Sequence, residues 1–382
     1  MTRAVSADQV MFGECIEVFR LEESSYLDVQ SNSEIKGYLL LDFDLRTELK
    51  LSKFKIHPTK KVNLFPTHYQ SFISPVTLFD CKVQRRYHLY IIALSSLFSF
   101  VSSRPTKAPR DDEAIFLTGD ESIAMLFPQR VAGPGGVKTS LPDEKIQGFA
   151  SELEEVVEIL YELPYETYKR FMQSIRLIQL AHNNKRDDFS LAYYLLVSAI
   201  EGVAQMAIPI EIKVDPQEEQ WEKLAKEHKA VKSLLGQFTS FQKNSHQLTK
   251  RFTKFILEYC PISEWHGLEH HFQDMPSYGD TQTGPNWITK KKWFEVYPND
   301  FKDKDIKTII EDTYNIRSKY SHEGEATPHT SPETFEHFFE RVSIRDKEKG
   351  FEKYLINYRL LSFIAKTSIL KYMRTLREQL RP

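Results

Sequence analysis

The chain has 382 residues, 41% hydrophobic, 27% charged and 13% aromatic. Its 26 Phe and 18 Tyr argue against a disordered chain, which is poor in such residues and cannot bury them. A formal net charge of −2 excludes a chain-wide footprint for a polyanion, so contact with nucleic acid must come from a local patch. Length allows two or three domains. Cys15, Cys81 and Cys260 are odd in number and far apart, which fits reduced thiols in the cytoplasm rather than a disulfide framework. Residues 1–6 begin no apolar signal region. The longest apolar stretch, 89–101, is too short to cross a bilayer. The expected setting is cytoplasmic, with no membrane partner.

In chain order, residues 8–83 mix polar turns with short apolar alternations. Strands are predicted at 37–43, 61–65 and 74–78. Residues 86–102 read as a buried helix, stopped by Pro105 and Pro109. The Gly-Pro-Gly-Gly turn at 133–136 has no following Gly-Lys-Ser or Gly-Lys-Thr, so it is not a phosphate-cradling loop.

From about residue 145 the texture becomes helical. Helices are predicted at 152–160, 165–181 and 189–206, the last preceded by Asp187 and Asp188, which suit the free N–H groups of a helix start. Charged amphipathic helices follow at 216–235 and 245–260. Residues 261–300, rich in His, Gly, Pro and Trp, read as an irregular insertion. Helices return at 305–320 and 349–380. The helices 166–181, 189–206, 305–320 and 350–378 each carry an apolar stripe, and together predict one bundle.

Two composition signals have bland and functional readings. Residues 341–382 contain 11 Lys or Arg against 4 Asp or Glu, either a solvated helix face or a basic patch. Trp265, Trp287 and Trp293 with Lys290, Lys291 and Lys292 are either ordinary packing plus surface charge, or a platform for single-stranded RNA. Cys260, His266, His270 and His271 could in principle hold zinc, with the histidines at i and i+4. However, His-Gly-Leu-Glu-His lacks the zinc-protease pattern and there is no second Cys. No metal and no cofactor is expected.

The sharpest signal is the segment 314–324, Tyr-Asn-Ile-Arg-Ser-Lys-Tyr-Ser-His-Glu-Gly. The segment offers Arg317 and His322: arginine can hold a phosphate through two parallel bonds, and histidine is the residue type that moves protons near neutral pH. Phosphodiester cleavage needs both, and RNA supplies its own nucleophile in the 2′-hydroxyl. Five residues on a helix means about 140° of rotation, which is poor for direct cooperation. Gly324 and Pro328 predict a fraying, exposed helix end here. On chemistry alone, both residues could be ordinary surface groups.

This segment resembles the Arg-x4-His motif of the HEPN family, and its wording is similar to the ApeA-like branch of bacterial antiphage and toxin-like proteins. Residues 191–202 resemble the helix that places a carboxylate near the motif, with Glu201 at the matching position. The resemblance covers about residues 150–380. It implies a HEPN-like helical bundle at 145–382, which with the smaller N-terminal α+β region read from the residues at 1–140 makes a mainly α fold; the role of 1–140 is left unexplained. It further implies a metal-independent endoribonuclease acting on exposed or single-stranded RNA, in antiphage defence or as a toxin. Arg317 would bind the scissile phosphate, His322 would act as general base or acid, and Glu201 would orient one of them. The implied assembly is a homodimer; the apolar helix 350–378 is a candidate interface element, because one face packs on its own bundle and the remainder can pack on the mate, and the N-terminal region is a candidate contact for a protein partner. Ser318 departs from the Asn, Asp or His that often follows the arginine. The alternative is a non-catalytic HEPN-like module that binds nucleotide, RNA or protein.

Overall fold

The computed structural model describes residues 2–20, 35–64, 69–79, 87–110, 120–127, 129, 140–210, 217–244, 247–265, 268–273, 288–292, 303–324, 339–345 and 350–381. The Gly-Pro-Gly-Gly turn, Cys81, His266, Trp287, Trp293 and Pro328 lie outside them. The protein is mainly helical, with a small antiparallel sheet toward its N-terminus.

Residues 8–83 do not consist only of turns and strands. Helix α1 (Thr2–Phe19) precedes the sheet. Its Phe12, Cys15, Ile16 and Phe19 are buried and repeat at helical spacing. Its last carbonyls, which have no partner inside a helix, are taken by other elements. Tyr168 donates to the Ile16 carbonyl at 2.7 Å and Tyr161 to that of Phe19, while Arg20, just after the helix, donates in return to the Leu163 carbonyl at 2.6 Å.

The sheet contains β1 (Ile35–Leu41), β2 (Leu49–Lys50), β3 (Phe54–Ile56), β4 (Lys60–Leu64), β5 (Tyr69–Leu78) and β6 (Thr106–Lys107). The strands predicted at 37–43, 61–65 and 74–78 match β1, β4 and β5. Strand β5 pairs with β1 on one side and with β3 and β4 on the other. Pro75, which has no N–H to give, lies opposite the break between β3 and β4, where the ladder is interrupted. Helix α2 (Tyr87–Ser102) packs against α1 and the sheet, and every residue from Leu89 onward is buried. At Gly37 a Cβ would come within 2.7 Å of Ile91, so only glycine lets β1 approach α2 this closely.

After the short α3 (Asp120–Leu126) come α4 (Asp143–Glu162), α5 (Tyr165–Asn184) and α6 (Phe189–Ala207). Asp188 caps α6 by accepting from the Leu191 N–H at 2.9 Å. One hydrophobic core runs from Phe12 through the sheet and α2 into these helices. Some of the polar groups inside it pair with one another. His182 bridges Ser99 at 3.2 Å and Ser362 at 2.9 Å, and burial pushes its pKa down to about 3, so it is a neutral core histidine.

The segment 216–235 is not one helix. It breaks at His228 into α7 (Glu218–Glu227) and α8 (Lys229–Asn244). Then come α9 (Leu248–Tyr259), the single turn α10 (Ile262–Trp265) and a hairpin of β7 (Glu269–Gln273) and β8 (Ile288–Lys292) within the expected insertion. Helix α11 (Asp303–Glu323) is followed by a second hairpin, β9 (Phe339–Arg345) and β10 (Gly350–Ile356). The helix predicted from 349 onward is therefore a strand for its first seven residues, and helix α12 begins only at Tyr358, ending at Leu380. Asn357 marks the change, accepting from the Arg359 N–H at 2.7 Å.

The predicted bundle forms: α5 and α12 both pack on α6, and α11 packs on α6 and α9. Helix α12, however, is covered by its own chain. Its apolar side faces α6 and α9, with Tyr372 against Phe171 of α5, ring centroids 5.8 Å apart. Its basic side lies along α4. Lys366 meets Glu152 at 2.8 Å, Arg374 grips Glu155 with two bonds of 2.6 and 2.7 Å, and Arg377 reaches Glu158 and Glu162. Lys366, Arg374 and Arg377, part of the basic surplus read from the C-terminal sequence, thus form a ladder between two helices.

Candidate active site

Helix α11 buries Ile306, Ile309, Ile310 and Tyr314, three or four residues apart on one face. Two contacts pin it in place. Thr313 accepts from the Ile356 N–H at 3.0 Å, and Tyr314 packs on Phe252 with centroids 5.2 Å apart. Arg317 stands one turn after Tyr314 on that buried face, so the helix directs its guanidinium toward α6. Its side chain is only 18% exposed. The exposed helix end expected around the motif is therefore corrected for Arg317 and holds only beyond it, where Gly324 leaves the helix at φ +70°.

Across from it, Tyr194, Ser198, Glu201 and Gln205 follow one another along a single face of α6. Glu201 Oε2 lies 3.4 Å from the Arg317 guanidinium. Gln205 donates to Glu201 Oε1 at 3.1 Å, and the Tyr314 hydroxyl donates to the same carboxylate. Burial first, and the Glu201 charge second, raise the Tyr314 pKa, so its hydroxyl stays protonated and remains a donor. The guanidinium lies over the Tyr194 ring at 5.3 Å, and Tyr320 packs on the other part of Tyr194 at 5.5 Å.

The polar groups here are only partly satisfied. Arg317 Nε, Glu201 Oε2 and Ser198 Oγ are buried and make no hydrogen bond among the described residues. Unpaired buried polar atoms are rare because each costs about 1–3 kcal/mol. These three lie where α6 meets α11, and Glu201 Oε2 among them is offset by the Arg317 charge 3.4 Å away.

The structure thus brings Glu201 and Arg317 together and leaves His322 apart. His322 is exposed in the last turn of α11, about 140° around the helix from Arg317, and makes no hydrogen bond or ion pair among the described residues. Tyr194, Ser198, Gln205, Tyr314 and Tyr320 are absent from the sequence-derived set. A signal for them exists, since each lies three or four residues from Glu201, Arg317 or a residue so placed.

No family model, curated protein or solved structure matches the chain. One described helix, α6, is long and apolar enough to cross a membrane, and 56% of that window is buried inside the fold, as its role in the core requires.

Of the four residues of the zinc alternative, Cys260 is the one whose side chain the structure describes. Cys260 is buried at the end of α9 beside Trp265, whose indole donates to the Cys260 carbonyl at 3.0 Å; burial pushes the thiol up to about 12, far from a thiolate at neutral pH. His270 lies on strand β7, opposite Lys291, so helical i, i+4 spacing does not apply to it. Among the described residues no three His, Cys, Asp or Glu converge as ligands. Protein purified without chelator is expected to carry well under one zinc per chain by elemental analysis. Near-stoichiometric zinc that disappears in Cys260→Ala would overturn this.

Proposed function

We propose that the chain is a metal-independent endoribonuclease of HEPN type that cleaves exposed or single-stranded RNA. The observation that carries this reading is the buried pairing of Glu201 with Arg317, two residues on separate helices that the resemblance to the ApeA-like branch expects to be neighbours. Glu201 holds one edge of the guanidinium and leaves Arg317 Nε–H as a donor for a phosphate oxygen. Tyr320, half-buried beside Tyr194, is an aromatic group near the pair on which an unpaired base can stack.

In the chemistry that follows, the 2′-hydroxyl attacks its adjacent phosphorus while a general base removes its proton. The 5′-oxygen leaves with a proton from a general acid, and the product carries a 2′,3′-cyclic phosphate. Arg317 stabilises charge on the phosphate, and His322 is the proton carrier. One imidazole cannot be base and acid in the same step, so a homodimer that brings a second His322 to the cleft completes the set. Antiphage defence or toxin activity is the setting implied by the resemblance.

Purified protein should cleave single-stranded or loop RNA in excess EDTA and spare DNA of the same sequence, which lacks the 2′-hydroxyl. Loss of cleavage on chelation, or equal cleavage of DNA, would sink the mechanism. The second reading, a non-catalytic module binding nucleotide, RNA or protein, draws on the separation of His322 from Arg317. It predicts RNA binding without cleavage.

A further inference from the structure

Helices α7 and α8 are joined by His228 alone and fold back on each other, with Trp221 edge-on to Phe238 at 5.5 Å. Both are amphipathic: Trp221, Leu224 and Ala225 on α7, and Val231, Leu234, Leu235 and Phe238 on α8, recur at three- and four-residue spacing. Yet no described side chain of either helix is buried. Leu234 is 70% exposed and Leu224 46%. Their main packing is on each other, and neither makes a comparable contact with a described helix of the bundle. Helices of 10 and 16 residues, about 15 and 24 Å long, are marginal in water without a tertiary partner.

Charge indicates what covers this face. Helix α7 carries four Glu and two Lys, a net of −2, whereas α8 carries three Lys and no acid, a net of +3. An isologous contact must be complementary to itself. Around a two-fold axis, α7 on α7 or α8 on α8 sets like charges together, whereas α7 on α8 of the mate pairs opposite ones in both halves at once. We infer that the α7–α8 hairpin is a self-association element, which joins a second copy of this chain in a crossed four-helix contact with Leu224 and Leu234 at its centre. This deepens the dimer invoked for the ribonuclease reading by naming the element that joins the copies. Its assay uses no RNA, so failure of the interface and failure of the catalytic reading show separately.

The full chain is expected to sediment at twice 44.8 kDa. Leu234→Glu should raise the dissociation constant by roughly 10²- to 10⁴-fold, the equivalent of unburying two leucines per dimer, while the circular dichroism and melting of the body stay unchanged. A second test uses two charge variants, Lys229→Glu with Lys232→Glu, and Glu219→Lys with Glu222→Lys. Each alone should be monomeric, and their mixture should dimerise. A wild type that is monomeric across the concentration range, a Leu234→Glu dimer as tight as wild type, or a mixture that stays monomeric would each overturn the inference.

Discussion

His322→Ala is expected to slow RNA cleavage by roughly 10²- to 10⁴-fold, the usual worth of a positioned proton carrier, and to leave RNA affinity nearly unchanged. The side chain is exposed and makes no hydrogen bond or ion pair among the described residues, so its loss should cost no more than about 0.5 kcal/mol of stability. Lost activity in this variant is therefore lost chemistry. Arg317 needs a different design. Arg317→Ala removes a phosphate ligand, but it also leaves the Glu201 carboxylate buried with only Gln205 and Tyr314 as partners. The defect in rate would then be mixed with misfolding. Pairing Arg317→Ala with Glu201→Gln removes the stranded charge and isolates the catalytic role. Arg317→Lys should restore only part of the rate, because an ammonium keeps the charge and loses the planar fork. Wild-type cleavage that survives His322→Ala together with Arg317→Ala ends the proposal.

The largest stability effect is expected at Arg104. Its Nε donates to Asp42 at 2.7 Å, and the Asp42 side chain is 1% exposed at the end of β1. Burial raises the Asp42 pKa above its ordinary 3.8, and Arg104 pulls it back. Arg104→Ala removes the opposing term and strands a charge in the core, a loss of about 3–5 kcal/mol at neutral pH. The sign of the pH dependence follows from the raised pKa. The fold favours neutral Asp42, so that contribution is complete below 3.8 and fades as pH rises through the folded-state value. The variant raises that value further. Urea unfolding should therefore show a wild-type-to-variant gap that is widest at neutral pH and narrows toward pH 4. A gap that stays constant would mean that lost packing of Arg104 over the Phe43 ring, 5.3 Å away, dominates instead.

Elements with strong periodicity were legible in the sequence: α2, α5, α6 and α11 lie within a few residues of their predicted spans, and β1, β4 and β5 follow their alternation. Two errors share a cause. Residues 350–356 carry apolar groups that suit either period, and pairing with β9, a contact made after a turn, chose the strand. Helix α1 was missed because its stripe is short and diluted by polar residues until α2 and α5 give it something to pack on.

The candidate site divides along the same line. Residue chemistry and spacing alone single out Arg317, His322 and Glu201, and helix rotation alone warns that Arg317 and His322 diverge. Only the tertiary structure decides that Arg317 and Glu201 meet, because their contact depends on how α11 crosses α6. The basic C-terminus makes the same point in reverse. Local sequence counts its Lys and Arg as surplus, but the glutamates that pair many of them stand on α4, far away in the chain. Sequence determines which groups are present and which face of a helix carries them. Charge compensation and site assembly depend on distances through space, and those exist only once the helices have packed.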